Sequence, residues 1–254
     1  MSTTIDIPTP EGSYIGDLTT PRPLWKDVAL EFFGTFVFVY ISLAGVNQVL
    51  LRSTDSVNQL HISICFTLGL SSGIIVAGPS GGHLNPAVTL TTYASTTEFG
   101  IMRCIMYMLA QVCGGFGAGL VVLAVYWSAI NELSNSQFLG AFGTLRNASN
   151  SLFASILDQF IGSALLMFGI ARTPSSWSKP ITIGAILGGL GLFQGTNGFA
   201  FNLARDFGPR VASAIVFGSD VFTSMDHWFW VPMIIPFFGV AFGWICARYV
   251  EQLW

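Results

Sequence analysis

Two stretches decide the fold: Gly81-Gly82-His83-Leu84-Asn85-Pro86-Ala87-Val88-Thr89-Leu90 and Gly198-Phe199-Ala200-Phe201-Asn202-Leu203-Ala204-Arg205-Asp206-Phe207-Gly208-Pro209-Arg210. Each leaves a Gly-containing turn, passes through an Asn and runs into a short apolar segment, 86–97 in one case and 203–217 in the other. Asn is a favoured helix N-cap because its side-chain oxygen accepts a free first-turn N–H while its amide nitrogen can still donate. Pro86, directly after the cap, sacrifices no hydrogen bond, since that N–H has no partner inside a helix. Neither segment reaches the ~20 apolar residues that a helix needs to cross the hydrocarbon core. Irregular backbone at membrane depth is tolerated only where it is buried in protein or lines a water-filled cavity. Two such half-spans imply a pathway.

Around them lie six longer apolar stretches, 28–51, 60–78, 101–127, 152–171, 181–195 and 228–248, the fifth of them short. Composition agrees with this pattern. Of 254 residues 52% are apolar and 9% charged, with 10 Lys+Arg against 13 Asp+Glu, and mean hydropathy is +0.64. A soluble domain carries roughly 25% charge on its surface. So little charge excludes disorder, an ordinary cytosolic enzyme and a basic face for nucleic acid. The fold class is an all-α membrane protein of six transmembrane helices and two re-entrant half-helices.

Placing the N-terminus inside puts Arg22, Lys26, Arg103, Arg172, Lys179 and Arg248 on the cytoplasmic side, and leaves Arg52 and Arg146 outside. That distribution satisfies the positive-inside rule with both termini cytoplasmic. Residues 1–26 are polar and Pro-rich and read as a flexible tail; 27–254 form one channel domain. A long polar loop, 128–151, lies outside and contains the glycosylation tripeptide Asn147-Ala148-Ser149. Cys65, Cys104, Cys113 and Cys246 sit in apolar stretches with no metal-site spacing and read as buried small hydrophobes. Glu31-Phe32-Phe33-Gly34-Thr35 is echoed by Gln159-Phe160-Ile161-Gly162-Ser163. Each half, 27–127 and 152–250, therefore holds three spans and a half-span, and an odd number of spans forces the second copy to run inverted.

The box around Asn85 resembles the aquaporin, or major intrinsic protein, family, and the box around Asn202 is similar more narrowly to the glycerol facilitators, with the likeness covering roughly residues 27–250. In that family the half-helices meet tip to tip at the bilayer midplane, each N-terminus bringing about half a positive charge. The resemblance implies that Asn85 and Asn202 donate to the oxygen of each passing molecule, interrupting a proton wire, while the positive field repels cations.

The same resemblance implies an outer constriction at four positions. Arg205 and Phe199 follow from the box around Asn202. Counting back from the half-spans without gaps gives Leu190 and Cys65, and a one-residue shift gives Gly191 and Phe66; the shifted pair is favoured. Water-selective members carry a histidine at the fifth-span position, whereas the histidines here are His61, His83 and His227. Aromatic rings beside one arginine suit a polyol, whose CH groups lie on the rings while its hydroxyls bond. Asp206 also resembles the facilitators, and reads as a carboxylate neutralising a neighbouring arginine. His83 reads either as a histidine bonded to loop backbone or as a titrating vestibule residue.

Two residues depart from the family pattern. Leu203 stands where a second Pro is expected, giving up the fixed backbone angle. Gln159 stands where Glu31 predicts a second glutamate; an amide oxygen can still accept a loop N–H without burying a charge. Asp158 is a neighbouring substitute, though one helical step points about 100° away.

These readings imply passive conduction of glycerol, similar small neutral solutes and water, with ions and protons excluded. The alternatives are a water-selective channel, or a structural or adhesive membrane protein whose pore conducts poorly. No nucleophile–base pair or metal cluster is evident, so neither catalysis nor a cofactor is expected. The resemblance further implies a homotetramer in the lipid of a plasma membrane, with no nucleic-acid partner.

Overall fold

The computed structural model describes residues 22–52, 58–97, 99–132, 135–193 and 197–253. Most of the 1–26 tail lies outside them. They form helices α1 (Leu24–Arg52), α2 (Gln59–Ala77), α3 (Pro86–Ser95), α4 (Ile101–Val125), α5 (Trp127–Glu132), α6 (Asn135–Phe142), α7 (Leu152–Arg172), α8 (Lys179–Phe193), α9 (Leu203–Phe217), α10 (Asp220–His227) and α11 (Trp230–Glu251). No strand occurs among the described residues. Among them, five helices, α1, α2 with its following turn, α4, α7 and α11, are long and apolar enough to cross a membrane. α8 is apolar over 15 residues.

Helix pairing shows the internal repeat. α1 packs on α2 and α4, and α7 packs correspondingly on α8 and α11. Across the halves α2 meets α8, while α9 lies against α4 and α3 against α11. Each half-helix is thus held by the third span of the opposite half. Small residues permit the approach, because backbones without bulky side chains can touch. Gly115 faces the Ala204 backbone, and a Cβ at Gly119 would stand 2.7 Å from the Pro209 Cα.

The surface is apolar and polar groups are concentrated inside, the inverse of a soluble protein. Leu60, Ile64 and Leu68 on α2, and Leu157, Ile161 and Leu165 on α7, recur every fourth residue and are exposed, whereas Glu31, Gln111, Gln159 and Asp206 are fully buried. A contiguous exposed apolar face of this kind marks contact with lipid.

Two expectations need correction. The connection 128–151 carries most of α5 and all of α6, with Ile130, Phe138 and Phe142 fully buried. Its apolar residues pack onto the core instead of remaining a polar loop. The cysteines are free, but Cys104 alone is buried; Cys113 is exposed on α4, where lipid makes an outward thiol inexpensive.

Candidate conducting site

Both half-helices begin where the sequence places them. Asn85 Oδ1 accepts the Ala87 N–H at 3.0 Å, and Asn202 Oδ1 accepts those of Ala204 and Arg205 at 2.9 and 3.3 Å. Leu203 occupies the position equivalent to Pro86, and the Asn202 cap forms without proline. The two tips meet. Asn85 Nδ2 donates to the Phe201 carbonyl at 2.9 Å, and Asn202 Nδ2 donates to the Leu84 carbonyl at 2.7 Å. A side-chain amide has two N–H groups, so each Asn keeps one for the cavity that both residues line. That cavity, of about 200 Å³, is walled by apolar residues such as Phe38, Leu70 and Ile74, with His83 and Lys179 among its polar residues.

The carbonyls are aimed by unusual backbone. Leu84 and Phe201 have φ of 51° and 50°, a left-handed conformation disfavoured for side chains of this bulk. Each is held by an anchor from the other end of its own half. In the first, Glu31 accepts four hydrogen bonds: from Ser80 Oγ and the His83 N–H on Oε1, and from the Leu84 N–H and Gln111 Nε2 on Oε2. In the second, Gln159 Oε1 accepts the Phe201 N–H at 3.4 Å, and its buried Nε2 has no protein partner. Asp158 turns to Asn197 instead, accepting its amide at 3.1 Å. Asn197 in turn accepts the Asn147 N–H and the Ser155 hydroxyl, each at 3.0 Å.

On one side of this junction, Phe66, Gly191, Phe199 and Arg205 converge. The Phe66 and Phe199 rings meet edge-on with centroids 4.7 Å apart, and the Arg205 guanidinium lies 4.8 Å above the Phe66 ring. A Cβ on Gly191 would be 2.6 Å from Phe199 Cζ, so the ring occupies the space a side chain there would need. Cys65 faces α1, packed on Gly45. Leu190, half-buried, packs on the apolar core. Arg205 is 5% exposed and its Nε has no protein partner.

Asp206 has more partners than the neighbouring arginine read in the sequence. Its carboxylate is 3.8 Å from Arg205 but takes two bonds from Arg210, at 2.7 and 2.9 Å, and two from Thr144, both at 2.7 Å. Arg210 also donates to the Thr144 and Val221 carbonyls. The arginine that Asp206 neutralises most directly is therefore four residues on, and the pair ties the outer connection to α9. The His83 ring, for its part, bonds the Thr89 hydroxyl at 3.2 Å rather than loop backbone.

Sequence reading passed over Gln111 and Arg210. A lone Gln in the apolar third span and an acid–base pair at i, i+4 in the box around Asn202 were the available signals. Among the described residues no cluster of His, Cys, Asp and Glu could hold a metal ion.

Fold and site together define an inverted-repeat membrane protein whose half-helices meet tip to tip beside an apolar cavity. The sequence model of the family described as Major intrinsic protein matches residues 19–246, and the chain belongs to that family. It is 31% identical over 248 residues to aquaglyceroporin-3 of Trypanosoma brucei brucei, covering 90% of this chain and 81% of that one. A probable aquaglyceroporin-2 of Gibberella zeae is 35% identical, with 86% of this chain and 70% of the relative covered. The X-ray structure of the aquaglyceroporin from Plasmodium falciparum superposes with a TM-score of 0.81 at 28% identity, covering 91% of this chain and 98% of that one.

Proposed function

We propose that this chain is a passive channel for glycerol, similar small uncharged solutes and water, and that it excludes ions and protons. The observation that carries the reading is the outer group of Arg205, Phe66, Phe199 and Gly191. Two rings offer a surface to CH groups, Arg205 offers donors to hydroxyls, and glycine stands where a water-selective channel would have histidine. Further in, the free amide hydrogens of Asn85 and Asn202 give a solute oxygen two donors at one point. The two helix N-termini there bring about half a positive charge each, which disfavours cations. Relatives named aquaglyceroporins support the same solute class.

Residues 27–254 act as one channel domain in this reading, with pseudo-symmetric halves at 27–127 and 152–250 and a cytoplasmic tail at 1–26. Four chains assemble, each with its own pore, in a plasma membrane with both termini cytoplasmic. The test is stopped-flow light scattering on proteoliposomes. Glycerol uptake well above that of empty liposomes is expected, and uptake at the empty-liposome rate sinks the proposal.

A further inference from the structure

Among the described residues the α2–α8 seam runs to the group around Phe66 and Phe199 and carries a long-range hydrogen bond at its end. Deeper in, Gly184 and Gly188 press on Thr67 and Ser71 of α2, and a Cβ at Gly188 would stand 2.8 Å from the Ser63 carbonyl. The two helices cannot move relative to each other there without losing backbone contact. Further along, the half-buried Gln59 adds a polar tie, its Nε2 donating to the Gly191 carbonyl at 2.8 Å. Gly191 lies in the final described turn of α8. Its carbonyl thereby takes a donor from the neighbouring helix.

Both ends of this bond lead to the aromatic pair. Gln59 lies two helical turns before Phe66 on α2, hence on the same face. Gly191 is the surface against which the Phe199 ring rests. Phe66, Phe199, Gly191 and Gln59 thus close a ring of contacts through two helices and the re-entrant loop. Fixing the Gly191 backbone fixes how far Phe199 can withdraw from Phe66.

We propose that Gln59 is a positioning residue that sets the size limit of the solute passage by clamping α8 to α2. It rests on the conduction reading above. Gln59 acts through the Gly191 carbonyl to which it donates. Without the donor, the end of α8 swings outward about the Gly188 contact, Phe199 follows into the vacated space, and bulkier polyols pass. Glycerol, which already fits, is affected less.

The experiment compares erythritol and glycerol uptake in proteoliposomes for wild type, Gln59→Met and Gln59→Glu. Methionine matches glutamine in length but cannot donate, and its erythritol-to-glycerol ratio should rise about three- to tenfold, the factor one net hydrogen bond represents. Gln59→Glu serves as its own folding control. Its carboxyl donates when protonated and repels the carbonyl when ionised, so the ratio should be that of wild type at about pH 3.5 and raised at about pH 7.5, either side of a glutamate's ordinary ~4.3. The rise should reverse on reacidification, and wild type should be flat over the same range. A flat ratio in Gln59→Glu, or an equal change in wild type, overturns the clamp while wild-type glycerol flux keeps the conduction reading intact. Wild-type glycerol flux at the empty-liposome rate overturns both.

Discussion

Asn85 and Asn202 are tethered reciprocally: each gives one amide hydrogen to the backbone carbonyl of the residue preceding the other, at 2.9 and 2.7 Å. The exchange makes the junction of the half-helices a closed unit. Each Asn caps its own helix, holds the opposing loop and keeps one donor for the cavity. Asn85 cannot rotate without breaking two bonds, nor Asn202 without breaking three. The amide geometry that would meet a solute is therefore set before the solute arrives, so little ordering remains to be done on its arrival.

Asn202→Ala should consequently cost more than a lost cap. Cap removal is worth about 0.5–2 kcal/mol, and the stranded Leu84 carbonyl adds roughly 1–3 kcal/mol. Thermal unfolding in detergent should show a clear drop for Asn202→Ala and for Asn85→Ala. The double variant should fall short of the sum, because either change alone already opens the junction. Strict additivity would show that the two tethers act independently.

The anchors beneath the junction are unequal, and so should be their removal. Glu31 gathers four donors, whereas Gln159 accepts one N–H at 3.4 Å and leaves its own buried amide nitrogen unpartnered. Glu31→Leu strands buried donors at roughly 1–3 kcal/mol each and should abolish the folded, monodisperse protein in size-exclusion chromatography. Gln159→Leu removes one weak bond and one unsatisfied group, and its stability should stay within about 1 kcal/mol of wild type. Comparable losses at both positions would contradict this account.

Much of this arrangement was legible in the chain because it rests on local rules. The Asn caps, the half-helix starts and the repeated Glu31/Gln159 position all follow from spacing and residue type, and α9 spans 203–217 as expected. What escaped was set by partners distant in sequence. Asp206 reads as the neighbour of Arg205, yet its bonds go to Arg210 and to Thr144, 62 residues away. No periodicity announces such a tie. Nor did polarity announce α5 and α6, since only the packed outer connection shows that Phe138 and Phe142 are buried.

That buried pair of Asp206 and Arg210 yields its own prediction. Asp206 is fully buried and Arg210 2% exposed, so removing Arg210 leaves the carboxylate with only the more distant Arg205, 3.8 Å away, as counter-charge. Arg210→Met should destabilise by about 3–5 kcal/mol, and Asp206→Leu with Arg210→Met should recover part of the loss. Recovery stays incomplete because Thr144 loses its acceptor and the buried Arg205 its carboxylate. Thermal melts of the single and double variants decide it; a double variant less stable than Arg210→Met alone would contradict the ion-pair account.

Gly191 offers the most direct probe of the outer group, because the structure gives both direction and cause. A Cβ there would stand 2.6–2.9 Å from three atoms of the Phe199 ring, closer than real contacts allow. Gly184 and Gly188, on the same face of α8 as Gly191, seat the helix on α2, and Gln59 holds the Gly191 carbonyl, so the ring yields. Phe199 already meets Phe66 edge-on, and any shift narrows the space under Arg205. Gly191→Ala should therefore lower glycerol flux several-fold more than water flux, because the larger solute feels the narrowing first. Arg205→Ala acts in the opposite sense on size: it removes donors worth about 1.5–3 kcal/mol to a hydroxyl, so glycerol flux falls roughly tenfold or more while the opening widens. Paired osmotic-water and glycerol measurements on the same vesicles separate the two variants. If Gly191→Ala slowed water and glycerol by the same factor, the ring contact would be packing alone, with no part in distinguishing solutes.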